Sequence, residues 1–140
     1  MTLLSDQELN AYFESMSEEQ SASIRAVRKL LIELAPDLTE EIDAGKWFGG
    51  LLTYHTDDRI FMFALGPLSA GYTTFHMMPF YGSKTLQESY GPALKKLLSG
   101  KSCIKFKQYS DVPEDALCGI IGSTPNFAEI ARVMFAKRKR

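Results

Sequence analysis

Five carboxylates, Glu33, Asp37, Glu40, Glu41 and Asp43, fall within eleven residues, and no basic side chain interrupts them before Lys46. Hard cations favour carboxylate oxygen, so Glu40, Glu41 and Asp43 are the candidate metal ligands of this chain. The competing reading is a solvated helix end followed by a charged loop. His76 is a second candidate, because an imidazole in a strand can ligate a metal or move a proton. It can equally be a hydrogen-bonded histidine at the edge of a core. Trp47 is the third. Gly49 and Gly50 follow it, and glycines beside an aromatic ring let a ligand approach the backbone. They can also permit a bend before a strand, with the tryptophan covering the core. Lys46 and Tyr54 complete a candidate ligand pocket with Trp47 and His76.

Other chemistry finds no footing. No His-Glu-x-x-His joins His55 or His76 to further ligands, and His55, beside a turn, is expected to be exposed. There is no Gly-x-Ser-x-Gly elbow to supply a hydrolase nucleophile. Gly100-Lys101-Ser102 resembles the end of a phosphate-binding loop, but Lys95 stands where its first glycine belongs, and the segment runs from helix to strand. Cys103 and Cys118 form no Cys-x-x-Cys pair and no disulfide framework, which suits reduced thiols. With a formal net charge of −1, no overall field points to nucleic acid or an anionic membrane. The basic run Lys137-Arg138-Lys139-Arg140 has no interleaved aromatics and complements a helix C-terminus. No basic-then-apolar leader and no apolar run of bilayer length is evident, so a cytoplasmic protein is expected.

The elements that must position these residues follow from spacing. Ser5 with Glu8, and Ser17 with Gln20, have capping-box spacing. Leu9, Tyr12, Phe13 and Met16 then mark a first helix. Ile24, Val27, Leu30, Leu31 and Leu34 mark a second that ends before Pro36. Strands are expected at 51–55, 60–65 and 72–80, joined by the turns Thr56-Asp57-Asp58-Arg59 and Gly66 to Gly71 into an antiparallel meander. On the third of these, Tyr72, Thr74, His76, Met78 and Phe80 would share one face. A helix from Ser83, interrupted at Gly91-Pro92, would resume to Gly100. A fourth strand, Cys103 to Lys107, would turn Ile104 and Phe106 inward. Two further helices open at Asp111-Pro113 and Thr124-Pro125, the last with an apolar face of Phe127, Ile130, Ala131, Met134 and Phe135. These elements predict one α+β domain over residues 1–140, a four-stranded antiparallel sheet flanked by helices.

The order of these pieces resembles the YdhG-like domain family over about residues 18 to 121. The resemblance is carried by Leu34-Ala35-Pro36-Asp37, by Glu40-Glu41-Ile42 leading to Lys46-Trp47, and by Thr74-Phe75-His76-Met77-Met78. Leu98 to Phe106, leading to Asp111-Val112-Pro113, completes it. The family tends to place a proline soon after the tryptophan, whereas this chain has Trp47-Phe48-Gly49-Gly50-Leu51. Some relatives look like frataxin-analogous bacterial iron chaperones. The resemblance therefore implies a non-catalytic protein that holds and hands on iron, with carboxylates near Glu40 as ligands. Two alternatives stand beside it. One is an interaction module whose strand edge or terminal helices make a homodimer or receive a partner. The other is an enzyme of unspecified reaction with a Trp47–His76 pocket.

Overall fold

Both serine caps form as their spacing predicts. Ser5 accepts from the Glu8 N–H and Glu8 reaches back to Ser5, opening α1 (Asp6–Glu14). Ser17 and Gln20 do the same for α2 (Glu18–Leu34). The Gln20 amide also donates to the carbonyls of Leu68 and Tyr72, at 2.9 and 2.8 Å, tying the start of α2 to a distant turn. The computed structural model describes residues 2–45 and 49–138.

The sheet is antiparallel throughout, as expected, but it has five strands rather than four. The unforeseen strand is β1 (Thr39–Ile42), which lies at one edge and pairs with β2 (Leu52–His55). Its acidic sequence disguises it, since glutamates are poor strand formers. Next follow β3 (Phe61–Pro67), β4 (Thr73–Met77) and β5 (Cys103–Phe106), in sequence order across the sheet. The β2–β3 turn places Arg59 at φ 68°, a left-handed conformation usually left to glycine or asparagine.

After β4 the chain does not continue as strand to Phe80. Met78–Tyr81 forms a single helical turn, α3, with Pro79 near its start. Alternation along this segment therefore holds only from Thr73 to Met77. Nor does Pro92 interrupt the following helix: α4 (Lys84–Leu94) runs through it. α5 (Glu114–Gly122) and α6 (Thr124–Arg138) close the fold near their expected starts.

One face of the sheet carries the core. Leu52 and Tyr54, Phe63 and Leu65, Phe75 and Met77, Ile104 and Phe106 are neighbours across the registers and are all buried. The Phe63 and Phe75 rings stack with centroids 5.3 Å apart. Ile24, Val27 and Leu31 of α2, and Leu117, Ile120 and Ile121 of α5, join them in one cluster. Among the described residues, no helix is long and apolar enough to cross a membrane.

Candidate functional site

Glu40 and Glu41 are adjacent in sequence and opposite in environment, because successive strand residues face opposite sides of a sheet. Glu40 lies opposite Tyr54 in the β1–β2 register and shares its face with the core. It is 2% exposed. Arg28 of α2 grips it with two hydrogen bonds, Nε to Oε2 at 2.7 Å and Nη2 to Oε1 at 3.0 Å. The Tyr54 hydroxyl donates to Oε2 at 2.5 Å, and the Leu4 N–H donates to Oε1 at 3.1 Å. Both carboxylate oxygens are thus engaged by protein donors. The partners respond as the chemistry requires. Hydrogen bonding to Glu40 raises the Arg28 guanidinium pKa above its ordinary value. Burial, with the Glu40 charge second, pushes the Tyr54 phenol well above 10.0.

Glu41 points to the other face. Its Oε1 accepts from Arg59 Nη1 at 3.0 Å and lies 3.7 Å from His55 Nε2. Arg59 Nη1 also approaches His55 Nε2 at 2.5 Å, a contact to which the guanidinium can bring only a donor. His55 is 7% exposed, contrary to the expectation of exposure. A β-bulge between Tyr54 and His55 seats it against the sheet. Burial, then the Arg59 charge, lowers its pKa below 6.5. Glu41, Asp43, Thr53, His55, Arg59 and Phe61 line a cleft of about 500 Å³ beside this cluster.

The carboxylate patch expected near Glu40 is therefore not one patch. Glu40 is enclosed and paired with Arg28, whereas Glu41, paired with Arg59, and Asp43 line the cleft on the opposite face. Among the described residues, no group of three His, Cys, Asp or Glu side chains could hold a metal ion.

The proposed ligand pocket also separates. Tyr54 is opposite Phe63, and Phe63 is opposite Met77, whereas His76 is opposite Ala64 and Cys103. Tyr54 and His76 consequently lie on opposite faces of the sheet. His76 is half-buried, and burial lowers its pKa from 6.5. Lys46 and Trp47 lie outside the described residues.

The feature of larger consequence is α6. Thr124, Ala128 and Ala131 face inward and are buried. Ile130, Val133 and Met134, at helical spacing on another side, are 50, 50 and 52% exposed. Phe135 continues the line of Ala128 and Ala131, yet it is 46% exposed, because the last turns of the helix extend beyond the body they pack on. The apolar face read from sequence is thus split into a packed part and an uncovered part. Val133 was the missed member; its addition makes the apolar arc wider than one packing contact needs. The helix is anchored by Arg132, whose Nε and Nη2 donate to Asp58 at 2.8 and 3.1 Å on the β2–β3 turn. That pairing holds the exposed Asp58 carboxyl well below its usual range.

The chain has no match among protein-family models, curated proteins or solved structures. Its functional reading rests on its own geometry.

Proposed function

We propose that this protein is a non-catalytic binding module that works through self-association, with α6 as the interface between two copies. The observation that carries this reading is the uncovered row Ile130, Val133 and Met134, three large apolar side chains each about half in water on one side of one helix. Single exposed apolar residues are ordinary, but contiguous ones mark surfaces that meet another molecule.

The charges along α6 favour a second copy as the occupant. In an antiparallel pairing of two α6 helices about a two-fold axis at Val133, positions four residues to either side face each other. Glu129 of one copy then meets Lys137 of the other, twice over by symmetry, while Ile130 and Met134 interleave between them. Such an isologous contact covers the apolar stripe and adds a cation beside Glu129, which within its own helix lies 3.8 Å from Arg132.

The resemblance to YdhG-like proteins implies iron handling, and such a role needs ligands other than Glu40, whose oxygens are already taken. The dimer reading is checked by light scattering across a concentration series. Wild-type protein should rise from the 15.7 kDa of one chain toward twice that mass. The Ile130→Asp/Met134→Asp variant should stay at the single-chain mass with its circular dichroism spectrum unchanged, and its Tm should lose the dependence on protein concentration that a dimer confers. A wild type that remains monomeric at millimolar concentration would refute the reading.

A further inference from the structure

One cavity among the described residues holds no residue of α6 and none of the sites above. It is a groove of about 940 Å³ between α3, α4 and the segment leading to β5. Phe80, Pro92 and Leu98 supply apolar walls, and Tyr81, half exposed, stands at its edge. Gln87 fixes the turn above it by donating to the carbonyls of Phe80 and Tyr81, at 3.0 and 2.9 Å. The charged residues lining the groove are Lys95 and Lys101, and no carboxylate lines it. Neither ammonium takes part in an ion pair among the described residues. Lys101 belongs to the Gly100-Lys101-Ser102 turn, where Gly100 takes φ +85° and lets the chain double back toward β5.

We propose that this groove binds a small amphiphilic anion, a carboxylate carried on an apolar chain or ring. The two lysines complement the charge, since an ammonium–carboxylate hydrogen bond is stronger than a neutral one. Phe80, Pro92 and Leu98 cover the hydrocarbon part. The volume lies within the range of small-molecule sites, about 300–1,000 Å³. A cationic or purely polar ligand would leave the lysines unmatched or the apolar walls wet. The proposal is independent of the dimer interface.

Calorimetric titration with octanoate, against octanol and octyltrimethylammonium, tests it. Octanoate should bind saturably at one site per chain, and the two controls should not. Lys95→Ala/Lys101→Ala should weaken octanoate binding by about tenfold or more, the loss expected for a charge-assisted contact. Both lysines are exposed, so the variant keeps its fold, which circular dichroism verifies. Ile130→Asp/Met134→Asp should bind octanoate like wild type. Octanol binding as well as octanoate, an unchanged affinity in the lysine variant, or no saturable heat with octanoate would each overturn the proposal. So would co-sedimentation with phosphatidylglycerol vesicles that depends on Lys95 and Lys101 but is insensitive to octanoate, because the lysines would then serve a membrane surface.

Discussion

Glu40 and the outer side of α6 both depart from apolar-inside, polar-outside, and they depart in opposite directions. Glu40 is a charge inside the core, and all its acceptor capacity is used by Arg28, Tyr54 and the Leu4 N–H. The α6 row is apolar surface outside the core, with about half of each side chain in water. A buried charge persists in a fold only when its own chain neutralises it. An exposed apolar row has no such internal remedy, and under the proposed reading a second copy covers it. Glu40, which looked functional in the sequence, is therefore held by its own chain, and the α6 row is the surface on which the proposed contact rests.

The comparison breaks first, and with the largest effect, at Glu40. Glu40→Ala leaves Arg28 and Tyr54 without their partner and is expected to destabilise the fold by about 3–5 kcal/mol in urea denaturation. Glu41→Ala, one residue away on the other face, should stay within about 0.5 kcal/mol of wild type. Equal effects would dissolve the distinction between the two glutamates. Tyr54→Phe keeps the buried ring and removes one of four hydrogen bonds to Glu40. It should cost about 1–3 kcal/mol. A neutral result would mean that Arg28 and the Leu4 N–H suffice.

A smaller, pH-dependent effect belongs to His55. Its folded-state pKa is lowered from 6.5, chiefly by burial, so below that pH the unfolded chain binds more protons than the folded one. Stability should accordingly fall as pH drops through 6.5 toward the lowered value, and the loss should flatten in His55→Gln. His76, lowered in the same direction, adds to the slope, so His76→Gln is the matched comparison. A His55→Gln variant with the full wild-type slope between pH 8 and 5 would show that His55 is not buried neutral in solution.

Much of the fold was legible in the sequence because local rules and tertiary packing agree there. The Ser5 and Ser17 caps, the α2 stripe ending at Ala35, the inward turn of Ile104 and Phe106, and the start of α6 are where spacing puts them. The misses fall where tertiary context overrides local preference. β1 is built on Thr39-Glu40-Glu41-Ile42, whose strand character comes from pairing with β2 rather than from propensity. The signal that could have revealed Glu40 is the alternation Leu38, Glu40, Ile42, which puts Glu40 on the same side as an apolar residue that proves fully buried. Arg28 gave the complementary hint, standing between Ile24 and Leu31 at helical spacing along the buried stripe of α2. The joint position of Tyr54 and His76 was out of reach, since it depends on strand register across three strands. On α6, periodicity marks an apolar face but carries no information about where the supporting body ends.

The most direct test of the α6 interface is a charge swap measured by sedimentation equilibrium. Glu129→Lys alone places two lysines against each other at both ends of the two-fold pairing, and Lys137→Glu alone does the same with glutamates. Each single variant should weaken association several-fold, and Glu129→Lys/Lys137→Glu should restore it to near the wild-type constant. Restoration is the expected result. Single variants that associate like wild type, or a double variant no better than the singles, would contradict an antiparallel α6 interface.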